Sequence, residues 1–216
     1  MANINTLVPS KAPNLPLAPD PYSSAWVNQL NNVLRLYFNT IDNFLFGLSG
    51  NTGMLKLGAP YGAFHDTTTQ TAAAATATAI TFNSTDISNG VARSTPTSRV
   101  IIANAGIYNI QFSLQLSNPS AQIDDVTVWF RLNGVDIPNS ASLIGVPNKH
   151  GAINGHTILA LNLMLAIAGG DYIELYWTTD DGSSAILTYP SSATPPIHPV
   201  SPAAILTVTF VSALPA

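Results

Sequence analysis

The spacing of apolar positions changes period once along the chain. Val27, Leu30, Leu34, Tyr37, Ile41, Phe44 and Leu48 recur alternately three and four residues apart, the a/d seam of a coiled coil. From about residue 62 the period becomes two: Tyr108, Ile110, Phe112, Leu114 and Leu116 alternate with Asn109, Gln111, Ser113 and Gln115, as side chains of a half-buried strand do. A helix with so wide an apolar stripe needs a partner in water. Copies of the same helix would cover it, and so would its own β-domain or another surface.

Four segments follow from the pattern. Residues 1–20 carry Pro9, Pro13, Pro16 and Pro19 with Leu7, Val8, Leu15 and Leu17 between them; proline at this density forbids helix and favours an extended arm. The leucines and valine suit an arm laid along another surface. Residues 21–48 are predicted helical, opened by Asp20 and Pro21 as cap and first-turn proline and ending near Gly47 or Gly50. Residues 49–61 are glycine-rich and read as a hinge. Residues 62–216 form the β-domain. Its strands are expected near 99–103, 107–117, 125–132, 156–167, 171–178, 184–189 and 203–212, with a further strand in the Thr/Ala run 67–81. Turn signals such as Ala105-Gly106, Asn133-Gly134, Gly169-Gly170-Asp171 and Asp180-Asp181-Gly182 separate them. So many strands with no helical period between them predict a mainly β fold, an antiparallel sandwich or barrel. The apolar run Ile158–Ala168 reads as a strand buried on both faces.

Composition sharpens the need for partners. Charged residues are only 8% of the chain and hydrophobic ones 46%, against about 25% charged in an average domain. Neutral polar side chains, or burial against other chains, must replace the missing charge. The net charge is −4, and the seven cations (Lys11, Arg35, Lys56, Arg93, Arg99, Arg131, Lys149) are scattered. No basic patch exists to neutralise phosphates, so no nucleic acid is expected as a partner. No apolar run reaches the ~18 residues of a membrane helix, and the N-terminus lacks the basic and apolar regions of a secretory signal; neither membrane insertion nor export by a signal peptide is expected.

Candidate chemistry is sparse. There is no cysteine, which removes disulfides, thiolate catalysis and thiolate metal sites. Asp124-Asp125 and Asp180-Asp181 sit at strand ends, where turns account for them, and Asp171 reads first as a turn residue. His65, His150, His156 and His198 show no metal-ligand spacing; a site built from one histidine of each of several chains is the remaining metal arrangement. No nucleophile elbow, phosphate loop or dinucleotide fingerprint occurs. No catalytic residue, cofactor or metal is assigned.

Alternation also places large aromatics outward. In strand 125–132, Val126, Val128, Phe130 and Leu132 share one face and leave Thr127, Trp129 and Arg131 on the other. In strand 171–178, Ile173, Leu175 and Trp177 oppose Tyr172, Glu174 and Tyr176. Outward Trp129, Tyr172 and Tyr176 need cover, from a neighbouring chain or from a loop of the same chain.

The succession SRVIIANAGIYNIQFSLQL, DVTVWFRLNG, LNLMLAIAGGDYIELYW and AAILTVTFV resembles the trimeric jelly roll of the complement-component heads and tumour-necrosis-factor ligands, over roughly residues 62–212. Its strongest parts are Ala105-Gly106-Ile107-Tyr108, Leu132-Asn133-Gly134 and Gly170-Asp171. A collagen-like stalk and the aromatic-small-glycine ending of the complement heads are missing. PYSSAWVNQLNNVLRLYFNTIDNFL is similar to a helix in front of such domains in virion proteins of tailed bacteriophages. The resemblance implies a jelly-roll sandwich and a homotrimer with Trp129, Tyr172 and Tyr176 at the three-fold axis. It further implies a non-enzymatic capsid decoration, cement or head-fibre role in the virion, assembled in the host cytoplasm. The arm (Leu7, Val8, Leu15, Leu17) and helix (Val27, Leu30, Leu34, Tyr37, Ile41, Phe44) would then hold a major capsid protein or other virion protein. A tail-fibre or tail-tip domain recognising a host-surface glycan or protein is the alternative.

Overall fold

The computed structural model describes residues 12–17, 21–49, 58–195 and 197–214. The chain divides into two units, Met1–Ala59 and Pro60–Ala216. In the first, helix α1 spans Ser24–Ser49. Its cap is Ser23, whose side-chain oxygen accepts from the Trp26 amide at 3.4 Å while its carbonyl takes the first helical bond, from Val27. The helix therefore starts three residues after Pro21; the expected cap, Asp20, lies outside the described residues. Val27, Leu30, Leu34, Tyr37, Ile41 and Phe44 are all half-buried along one stripe, as the spacing requires. Leu36, Phe38, Leu45 and Phe46 are exposed beside it. Of the arm, Leu7 and Val8 lie outside the described residues, and Leu15 and Leu17 are exposed. The arm touches the helix through the Trp26 indole, which donates to the Pro16 carbonyl at 3.2 Å.

The second unit holds fourteen strands among the described residues: β1 Tyr61–Asp66, β2 Gln70–Thr71, β3 Thr78–Ala79, β4 Ser84–Asn89, β5 Val91–Arg93, β6 Val100–Ile102 and β7 Gly106–Asn118, then β8 Asp124–Leu132, β9 Val135–Asp136, β10 Ser142–Val146, β11 Gly155–Ile167, β12 Tyr172–Thr179, β13 Ala185–Ile186 and β14 Ala204–Ser212. All ladder pairing is antiparallel. One sheet runs β4-β1-β14-β7-β11, with β13 and β2 continuing beyond the end of β14. The other runs β10-β8-β12-β6-β5, with β3 beside β12 and β9 beside β8. Because β6, β7, β8, β10, β11, β12 and β14 alternate between sheets except at β8–β10, the chain wraps a two-layer jelly-roll sandwich. The mainly β, antiparallel fold class read from periodicity is correct.

The inward faces meet as the alternation predicts. Ile110, Leu114 and Val208 from one sheet and Val126, Leu175 and Trp177 from the other are buried, and Phe112 meets Phe130 edge-on at 5.5 Å across the layers. The Asn133-Gly134 turn joining β8 to β9 has φ of 52° and 81°, the left-handed pair a two-residue hairpin needs. Gly155 opens β11 against the Pro147 carbonyl, which a Cβ would approach to 1.7 Å; no side chain fits there.

Several expectations need correction. The Thr/Ala run 67–81 is not one strand but two short ones around a turn, and 184–189 keeps only Ala185–Ile186 in the ladder. β1 starts at Tyr61, inside the presumed hinge. The largest correction concerns β11. It is not buried on both faces: among the described residues it pairs with β7 alone, so it is an edge strand, with Ile158 57% and Met164 58% exposed.

One buried carboxylate ties the far end of the sandwich. Asp124, 1% exposed, accepts hydrogen bonds from the Thr179 hydroxyl and from the amides of Asp181 (3.2 Å) and Ser184 (2.9 Å). Burial pushes its pKa up, but hydrogen bonds from Ser184, Thr179 and Asp181 outweigh it and hold the group below the ordinary carboxylate range. With a folded pKa below the unfolded one, its stabilisation is complete above the unfolded value of about 3.9 and lost as pH falls through the folded value. Asp124→Asn is therefore expected to flatten the acid limb of a Tm-versus-pH curve below about pH 4 while lowering Tm at neutral pH. An unchanged acid limb would remove Asp124 from that role.

Candidate functional site

The two outer faces of the sandwich differ in chemistry. On the β10-β8-β12 sheet, register sets the outward residues in rows. Trp129 pairs with Tyr176, and Tyr176 in turn with Ala79 of β3. Two residues along, Asp136, Arg131 and Glu174 form the next row, and Tyr172 beside Ile101 the row after. The structure thus brings Trp129, Tyr172 and Tyr176 onto one face, as alternation predicted.

They are covered from within the chain more than the sequence suggested. Trp129 and Tyr176 lie 6.0 Å apart, tilted by 37°. The Arg131 guanidinium sits 3.8 Å over Tyr176, and that of Arg99 4.3 Å over Tyr172. Asp136 Oδ1 accepts both the Trp129 indole N–H at 2.6 Å and Arg131 Nε at 2.5 Å. The hydrogen bond to Arg131, then that to Trp129, holds the Asp136 carboxyl below its usual range, and Asp136 raises Arg131 in return. Glu174, outward by parity, is nonetheless only 5% exposed, because Ser98 donates to it at 2.7 Å and Arg99 stands 3.5 Å away. Ser98 and Arg99 reach it from the segment before β6, a contact alternation alone could not reveal.

The opposite face, on β11-β7-β14, carries no charged side chain. Its outward positions on β11 are His156, Ile158, Ala160, Asn162, Met164 and Ala166, and on β7 Ile107, Asn109, Gln111, Ser113, Gln115 and Ser117; β14 adds Ile205, Thr207 and Thr209. A shallow groove of about 730 Å³ crosses the three strands, lined by Gln111, Ser113, Ala160, Leu161, Asn162, Ile205 and Thr207 among others. It is continuous with the bare edge of β11. Sequence reasoning missed this surface because it read β11 as two-sided core. The available signal was the absence of Asp, Glu, Lys and Arg from alternate positions across three strands.

Elsewhere the polar groups find partners within the fold. Asp171 closes its turn by accepting from the Ala168 amide at 3.0 Å and from Asn133 at 2.8 Å. His65 pairs with Asp86 at 2.9 Å, His156 bonds the Tyr189 hydroxyl at 2.6 Å, and His198 lies 2.8 Å from the Pro199 carbonyl. Burial raises the Tyr189 pKa, and a Ser117 hydrogen bond opposes it. Among the described residues no three His, Asp or Glu side chains gather where a metal ion could sit, and no helix is long and apolar enough to cross a membrane.

No protein-family model matches the chain, and no curated protein matches it. Among solved structures the chain is similar to the globular domain of the zebrafish complement 1qA protein, at 9% identity, over 72% of this chain and 99% of that one, with a TM-score of 0.44.

Proposed function

We propose that the protein is a non-enzymatic structural component of a tailed-bacteriophage virion. In this reading it is a homotrimeric capsid decoration or head-fibre protein, held by its N-terminal arm and helix, with its jelly-roll domains joined through the β11-β7-β14 face. One observation carries the assembly part: a charge-free face that runs without interruption into an unpaired strand edge. Natural proteins blunt such edges with charge, proline or bulges. β11 has none of these: its thirteen residues pair with β7 in unbroken register. Its edge and the groove on the face are different surfaces, so edge-to-groove contact is heterologous and gives a ring where its rotation closes. The resemblance of its strand motifs to the trimeric jelly roll supports three chains.

The face around Trp129, Tyr172 and Tyr176 is the poorer interface. Joining chains there would desolvate Arg131, Asp136 and Arg99, and a buried ion pair returns little net energy for that cost. The virion assignment rests on the likeness of the N-terminal helix to those preceding such domains in phage virion proteins. Its mechanism is geometric: a three-fold protein fits three-fold capsid positions, and by binding only the assembled shell it stabilises that shell through mass action.

The test is solution mass by light scattering followed by immunogold labelling of virions. Three chains of 22.7 kDa give about 68 kDa; a monomer would overturn the assembly. Label on heads supports decoration, whereas label on tails would favour the receptor-binding alternative. Deleting residues 1–20 is expected to abolish attachment to particles while the mass stays trimeric. Full attachment of the truncated chain would remove the arm from the model.

A further inference from the structure

We propose that the outer face of β8, β9 and β12 is a saccharide-binding platform, with Trp129 and Tyr176 as its floor and Asp136 and Arg131 as its hydrogen-bonding wall. Binding there requires only that this face stay outside the assembly interface.

On its β10 side no strand among the described residues stands beside the floor, where Ile137 and Ser140 bond the Phe130 backbone instead. β10 pairs with β8 no further than Val128, one residue short of Trp129, and the far neighbour of Tyr176 in the row is Ala79, too small to crowd it. Both rings are fixed: Asp136 anchors the indole N–H and Arg131 packs over Tyr176. Trp129 therefore offers ring surface and no free donor. The wall is half-used. Asp136 Oδ1 takes both local donors, Oδ2 accepts no hydrogen bond among the described residues, and the side chain is 60% exposed. Each guanidinium has a carboxylate beside it, Arg131 with Asp136 and Arg99 with Glu174.

These features select the ligand by its chemistry. The paired charges leave no net positive field for a polyanion and no free carboxylate set for a cation. A purely apolar partner would have to desolvate Asp136 and Arg131 without replacing their bonds. A sugar ring presents C–H bonds on its faces, which pack on aromatic rings, and hydroxyl groups around its rim, which can donate to Asp136 Oδ2 and accept from Arg131. A neutral, hydroxyl-rich ring meets all of these conditions.

The full-length assembled protein should be tested on an array of hexose, N-acetylhexosamine and uronic-acid oligosaccharides, then titrated with cellohexaose, maltohexaose and chitohexaose. Binding to at least one neutral saccharide is expected. Trp129→Ala and Asp136→Asn should each weaken it tenfold or more, with circular dichroism and assembly mass unchanged. Ala79→Arg, which fills the space beside Tyr176 without removing a ring, should do the same and serves if Trp129→Ala does not fold. Failure of the wild type to bind any neutral saccharide would overturn the proposal, as would wild-type binding by the folded variants. The assembly mass, read in every case, separates that failure from failure of the oligomer.

Discussion

Ala160→Arg is expected to convert a particle of about 68 kDa, three 22.7-kDa chains, into single chains. Ala160 lies outward on β11, in register with Ser113 of β7, which pairs with Ile205 of β14. All three line the groove. In the isolated chain position 160 is exposed, so an arginine there should alter folding stability by no more than about 0.5 kcal/mol. In the assembly the same side chain would be buried on a face with no carboxylate to pair with it. An unpaired buried charge costs several kcal/mol per ion even after relaxation, and a ring contains three of them. Since about 1.4 kcal/mol is a factor of ten in association, the trimer should not survive at micromolar concentration. Thr178→Arg, on the opposite outer face, is the control and should leave the mass unchanged. A wild-type mass for Ala160→Arg would move the interface off this sheet and return attention to the Trp129 face.

The second large effect is in the core. Trp177 is fully buried, with Val128 and Thr78 as its cross-strand neighbours, and its indole nitrogen has no hydrogen-bond partner among the described residues. Trp177→Ala removes the largest core side chain and should cost about 3–5 kcal/mol, a large part of the roughly 5–15 kcal/mol that holds a domain folded. Trp177→Phe should cost much less. It loses part of the ring but also removes an unsatisfied buried donor, whose penalty is about 1–3 kcal/mol. Urea unfolding at one fixed protomer concentration reads both variants, because an oligomer's apparent stability shifts with concentration. Equal losses for Phe and Ala would mean that the indole N–H is satisfied and that volume alone does not explain the site.

Much of the fold was legible because it depends on local period. The helix seam from Val27 to Phe44, the alternation of β7, β8, β12 and β14, and the Asn133-Gly134 turn are properties of neighbouring residues. Parity alone put Trp129, Tyr172 and Tyr176 outward and Trp177 inward. The short strands escaped notice for the same reason. β4, Ser84–Asn89, is polar and largely exposed, so no hydrophobic alternation marks it, and β10 has only five residues.

Tertiary structure decided what period could not. A continuous apolar run such as that in β11 looks the same whether it lies in mid-sheet or at an edge, because side-chain sequence does not record which backbone groups find a partner. Only the placement of β11 beside β7 alone turned that run from presumed core into a candidate interface. Likewise Glu174 reads as a solvent-facing charge until Ser98 and Arg99, distant in sequence, close over it. Sequence by itself determined which face each side chain occupies, since that follows from backbone geometry one residue at a time. What lies against each face is set by contacts between distant segments, and the three-dimensional structure alone resolved it.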